Sequence, residues 1–89
     1  MEIAQAEKIL KALANKRRLK IVKFLGKNKK ATVTVIANYL KLSFKSTSRH
    51  LSVLKSAGII DSEQVALMNF YYIVAPMPVI VKTILVLIG

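Results

Sequence analysis

Apolar side chains recur through the first two thirds of the chain at the spacing of amphipathic helices, and the period changes after Gly58. Ile3, Ala6, Leu10 and Leu13 fall three or four residues apart, with Glu7, Lys8 and Lys11 on other faces, which predicts a first helix. Asn15 is placed to cap a second helix carrying Leu19, Val22 and Leu25; Gly26 and the basic run to Lys30 predict its exit and a turn. A third, short helix carries Ile36, Ala37 and Leu40 behind a cap at Thr32 or Thr34. Lys41 and Leu42 then lead to a longer helix capped by Ser43, running to Ala57 and stopped by Gly58. A short helix, a brief connection and a longer helix make the layout of a helix-turn-helix.

Beyond Gly58, residues 59–64 and 69–74 read as extended, the second rich in aromatic and β-branched types such as Phe70, Tyr71, Tyr72, Ile73 and Val74. They bracket residues 65–68 and predict a hairpin packed as a wing beside the third and fourth helices. Its turn lacks an Asn-Gly or Asp-Gly pair, and Asn69 is the residue best suited there to a left-handed conformation. The tail from Pro78 to Ile88 is apolar apart from Lys82 and Thr83. Pro78 suits the first turn of a helix, although the many β-branched residues leave a strand open. The run is well short of the roughly 20 residues that span a bilayer. The expected fold is one domain over residues 1–89, mainly α with a small β-hairpin. It is a winged helix-turn-helix in which residues 78–88 form a dimerisation segment.

Composition sharpens this reading. Hydrophobic residues make up 54% of only 89 positions, more than so small a domain easily hides, so a second copy is expected to cover part of the surface. The formal charge is +11, and it is unevenly spread. Every Lys and Arg except Lys82 lies in residues 1–55, beside only Glu2 and Glu7; the remainder carries Lys82 against Asp61 and Glu63. The basic part is suited to a polyanion, which it draws by releasing counterions, and the last third to protein. The absence of cysteine excludes disulfides, thiolate chemistry and sulfur-ligated zinc. His50 stands alone, the four carboxylates form no spaced pair, and no Gly-rich phosphate loop occurs, so no catalytic residue, metal site or cofactor is expected. The N-terminus is a lysine-bearing amphipathic pattern rather than a secretory signal, which predicts a cytoplasmic protein with no membrane partner.

The helix after Ser43 is where charge and pattern meet. On a helical wheel Thr47, Leu51 and Leu54 gather on one side, flanked by His50 and Ala57; Lys45, Arg49, Ser52 and Ser56 gather opposite, with Ser46 and Ser48 to either side. A small, polar, positive face suits the major groove, because Lys and Arg donate to guanine and Ser serves several base edges. Such helices enter by their N-terminal turns, which selects Lys45, Ser46, Ser48 and Arg49 as base readers. Ser52 and Lys55 lie further along and suit phosphates, as do Lys27, Lys29 and Lys30 in the basic turn. Phe44 reads as a packing staple, or else as a contact to a thymine methyl. His50, beside Leu51 and Leu54, reads as a half-buried residue hydrogen-bonded within the domain, and Tyr39 as a packing residue at the edge of the third helix.

These residues resemble the ArsR-like winged helix-turn-helix transcriptional regulators. The likeness starts at Leu10–Leu25, strengthens over Thr32–Leu42, and peaks at Ser43–Ile60, where Ser48-Arg49-His50-Leu51, Leu54 and Ala57-Gly58 match the family pattern. Tyr71-Tyr72 matches its last wing strand, so that about residues 5–74 are covered. The resemblance implies a homodimer that reads a two-fold symmetric operator on double-stranded DNA. It also implies what is missing. The cysteine-containing metal box would fall near Val33–Ala37, and the tail lacks the histidine and carboxylate ligands of a second metal site. The wing turn Val65–Met68 lacks the usual arginines and glycine. A sequence-specific, homodimeric DNA-binding regulator, acting as a repressor, is the expected function; an architectural or protein-interaction module is the alternative that the wing and tail suggest.

Overall fold

The computed structural model describes all 89 residues, in the order α1 (Ile3–Leu13), α2 (Lys16–Asn28), β1 (Lys30–Thr32), α3 (Val33–Leu40), α4 (Phe44–Ser56), β2 (Ile60–Val65), β3 (Met68–Ile73) and α5 (Val79–Ile88). Side-chain caps set three of these boundaries. Asn15 accepts from the amides of Arg17 and Arg18 at 3.0 and 3.1 Å, Thr32 from Val35 at 3.3 Å, and Ser43 from Ser46 at 3.0 Å. Each supplies an acceptor for an otherwise unpartnered first-turn amide, an interaction of about 1 kcal/mol. Lys41 (φ 57°) and Gly58 (φ 76°) end α3 and α4 in the left-handed region, where only glycine avoids a steric cost.

The core gathers one face from every helix. Ile9, Ala12 and Leu13 of α1 meet Ile21, Val22 and Leu25 of α2, with Ile36 of α3, Leu51 and Leu54 of α4 and Val81 of α5. Ile59 and Ile60 carry the apolar seam from the end of α4 into the sheet. Thr47 is fully buried yet satisfied, because its hydroxyl donates to the carbonyl of Ser43 at 2.9 Å.

Four local expectations are corrected. Of Ile3, Ala6, Leu10 and Leu13, only Leu13 enters the core; Ile3 and Leu10 remain exposed, because α1 turns its Ile9 side inward. Gly26 does not end α2, which continues to Asn28 before Lys29 takes a positive φ of 64°. The hairpin has a third partner: β1 pairs with β3 in a sheet ordered β1-β3-β2, with Ala31 opposite Tyr71. Three residues between a helix end and a helix cap are too few to show a period of two. The wing turn is tighter than expected, Val65 pairing with Met68 across Ala66-Leu67, and Ala66 rather than Asn69 takes the positive φ, at 58°.

The tail is a helix, with Pro78 at its N-cap and Val81 buried. It rests on α2, where a Cβ built on Gly26 would lie 3.4 Å from a methyl of Leu85. The glycine therefore serves close helix packing rather than a turn. Gly26→Ala is expected to stay within about 1 kcal/mol of the parent, since improved helix propensity offsets slight crowding. Gly26→Leu is expected to lift α5, seen as faster amide exchange across Val79–Ile88; unchanged protection would show that α5 is not seated on this glycine.

Candidate nucleic-acid interface

Burial of Thr47, Leu51 and Leu54 leaves the opposite side of α4 standing in solvent. Lys45, Arg49, Ser52 and Ser56 are all exposed there, spaced three or four residues apart, and form a polar crest along the helix. Ser46 and Ser48 are half-buried on its two shoulders. Of the base-reading candidates, Lys45 and Arg49 therefore reach furthest outward, with Ser46 and Ser48 beside them.

The two flanks of the crest differ. On one, Lys55 donates to the Ser62 hydroxyl at 2.9 Å and lies 3.8 Å from Asp61, which ties the C-terminal half of α4 to β2. Phe44 lies by the same wing, exposed rather than stapled into the core, lining a groove with Val35, Leu67 and Met68. At the wing tip Leu67 is 95% exposed, with no cation from Gln64 to Asn69. On the other flank lies α1, where Lys8 and Lys11 face Arg49, Ser52 and Ser56 across an open groove.

The remaining lysine candidates stand apart from this crest. Lys27 and Lys29 are exposed at the C-terminal end of α2. Lys30 begins β1, on the sheet edge away from β2, with its ammonium 3.5 Å from Glu63 and 5.1 Å from the Phe70 ring centre. Tyr39 packs on Phe24, their rings 4.6 Å apart, as a structural residue of α3.

One residue escaped the sequence reading. Arg18 donates from Nε to the carbonyl of Ala12 at 2.6 Å and from its two terminal nitrogens to the carbonyl of Lys11 and to Nδ1 of His50, both at 3.4 Å. It thereby satisfies carbonyls at the end of α1 while touching α4 through His50. The available signal was Arg18 on the third residue beyond a capping Asn15, which points it back along the chain; its partner 32 residues away was not legible.

His50 sits below its ordinary value of 6.5, first because burial penalises the imidazolium and then because Arg18, Arg17 and Arg49 repel it. The arginine can only donate, so Nδ1 accepts and the ring is neutral in this contact. The unfolded chain binds a proton more readily than the folded one, so this contribution is complete above 6.5 and is lost as pH falls through the lowered folded value. Thermal unfolding between pH 7.5 and 5 should show stability declining toward acid, with a smaller decline in His50→Gln; equal declines would remove His50 from the effect.

No group of three or more His, Cys, Asp or Glu side chains comes together, and no helix is long and apolar enough to cross a membrane. A family model described as "Bacterial regulatory protein, arsR family" matches residues 15–62, from the cap of α2 into β2. An uncharacterised HTH-type transcriptional regulator of Methanocaldococcus jannaschii is 40% identical over 70 residues, which cover 79% of each chain. The solved structure of HlyU from Vibrio cholerae is 31% identical, with a TM-score of 0.83 over 99% of this chain and 98% of that one. A homodimeric winged helix-turn-helix DNA-binding domain from Mycobacterium bovis, a possible ArsR-family regulator, is 26% identical, with a TM-score of 0.85 over 96% and 76% of the two chains. The proteins matched are transcriptional regulators, not enzymes, and the winged helix-turn-helix fold is shared with them.

Proposed function

Because the chain belongs to the arsR family of bacterial regulatory proteins, we propose that it is a homodimeric, sequence-specific double-stranded DNA-binding regulator that represses by occupying a two-fold symmetric operator. The observation that carries this reading is the crest of α4: four exposed polar residues, two of them cationic, backed by a fully buried Thr47–Leu51–Leu54 stripe. A helix held so firmly on one side presents a rigid reading head on the other. Lys45 and Arg49 donate to base edges in the major groove, and Ser46 and Ser48 complete the first turns. Ser52 and Ser56 lie further along the crest, nearer the backbone. Lys55, bonded to Ser62 and beside Asp61, holds the wing to α4. Occupancy alone blocks other proteins, so repression on this reading needs no chemistry and no cofactor, and a regulator of bacterial DNA acts in the cytoplasm.

Dimerisation is supported by apolar surface that the single chain leaves open. Ile3 and Leu10 on α1 are 89% and 52% exposed, and Val79, Val86 and Leu87 on α5 are each at least 74% exposed. Exposed aliphatic surface of this density marks an interface. The Mycobacterium bovis domain, described as homodimeric, has the same fold. Pairing two chains sets the reading helices about 34–36 Å apart, one helical turn of DNA. Leu10→Glu with Val86→Glu alters only exposed side chains, so a folded monomer with greatly weakened operator binding is expected by sedimentation and titration. A dimer of parental affinity would place the interface elsewhere.

Selection from a random duplex library tests the function directly: a palindromic consensus is expected. Arg49→Ala should then cost about 1–3 kcal/mol on the consensus and relax preference at one base pair per half-site. Full retained preference would take Arg49 out of the reading set. Because the related HlyU is named a transcriptional activator, transcription from a promoter carrying the selected site decides the sign: repression is expected on adding the protein. The uncharged, apolar wing tip favours a second reading, a module that docks another protein. Selection yielding no consensus, with undiminished binding to random duplex, would support the architectural form of that reading.

A further inference from the structure

The flank of α4 away from the wing faces α1 across an open groove of about 540 Å³. Lys8 and Lys11 line it from α1, Arg18 from α2, and Arg49, Ser52 and Ser56 from α4; no carboxylate is among the lining residues. The charges there are poorly balanced from within the chain. Arg18 donates only to main-chain carbonyls and the imidazole of His50, so its charge meets no anion. Lys11 lies 3.7 Å from Glu7, but both groups are largely exposed and the pair is screened by water and salt. Four cations and two hydroxyls around a concavity suit an oxyanion: the ammonium and guanidinium groups supply charge, and the serines supply donors.

We propose that this groove is a phosphate clamp for duplex DNA, and that α1 thereby supplies the backbone contact for which the wing tip has no charge. The inference rests on the DNA-binding reading above. The crest fixes where the phosphate would come from. Arg49, Ser52 and Ser56 belong both to the crest and to the wall of the groove, so a duplex seated on the crest lays the neighbouring backbone against Lys8 and Lys11. The opposite flank offers no equivalent, since Lys55 is engaged with Ser62 and Asp61 and the hairpin beyond Glu63 carries no cation. A free anion would bring the same chemistry, but an open groove merging with the reading crest suits a polymer that runs past it.

The salt dependence of binding counts such contacts, because each neutralised phosphate contributes about 0.9 to the slope of log K against log salt. Lys8→Gln with Lys11→Gln, titrated with random-sequence duplex of about three helical turns at several salt concentrations, is expected to flatten the slope by about 1.8–3.6 per dimer. That range corresponds to one or two phosphates lost from each protomer. An unchanged slope and affinity in the double variant, while the parent binds normally, would overturn the clamp and leave the DNA-binding reading intact. Failure of the parent to bind duplex at low salt would overturn the underlying reading as well. Inorganic phosphate, titrated into the DNA-free protein and followed at the Lys8 and Lys11 side chains by NMR, separates the sources. Saturable binding there with an unchanged DNA slope would assign the groove to a free anion and overturn the proposal.

Discussion

The burial of one stripe on α4 governs the rest of this structure. Thr47, Leu51 and Leu54 are fully enclosed, and each element around them is placed by that enclosure. Truncating such a leucine typically costs 2–5 kcal/mol, a large part of what a domain of this size has in hand. A helix so anchored cannot roll, because rotation by one residue would expose Leu51 or Leu54 and turn Ser48 and Lys55, or Ser46 and Val53, toward the core. The apolar stripe therefore fixes the direction in which the polar crest points. The hydroxyl of Thr47, returned to Ser43, joins this anchoring to the N-terminal cap, so the first turn is held at the point where it would enter a groove.

Two supports brace the crest sideways. On the wing side, Lys55 bridges to Ser62 and Asp61, while Ile59 and Ile60 continue the core into the sheet. On the other side, Arg18 reaches from α2 to the last carbonyls of α1 and to His50. His50 is neutral in this arrangement, which suits a ring facing three arginines. Polar atoms that this packing buries all find partners, so the bracing does not leave an unsatisfied group behind. Exposed apolar side chains stand both at the wing, beside Phe44 and Leu67, and on α1 and α5, where pairing would leave the crest free.

Much of this was legible in the sequence because helix signals are local. The caps at Asn15 and Ser43, the stop at Gly58 and the split of α4 into two faces each depend on residues a turn or so apart, and the structure reproduces them. What was not legible depended on distance. β1 exists because Ala31 meets Tyr71 across the chain, and three residues carry no periodicity of their own. Gly26 looks like a helix stop locally, whereas its use is to admit Leu85 from α5. The apolar residues of α1 were visible but not their direction, since Ile3 and Leu10 share a helical spacing with Leu13 that does not say which side meets the core. At the interface, the contrast between a charged α1 flank and an uncharged wing tip appeared only once the elements were placed around α4.

The central claim is that the crest of α4 is the surface that meets DNA. Chemical-shift mapping of the labelled protein against a selected operator duplex tests it most directly. The account predicts the largest changes at Lys45–Ser52, with side-chain signals of Lys45 and Arg49 shifted and the amides of α5 undisturbed. Changes confined to the wing tip at Leu67-Met68 or to α5, with α4 unaffected, would contradict it.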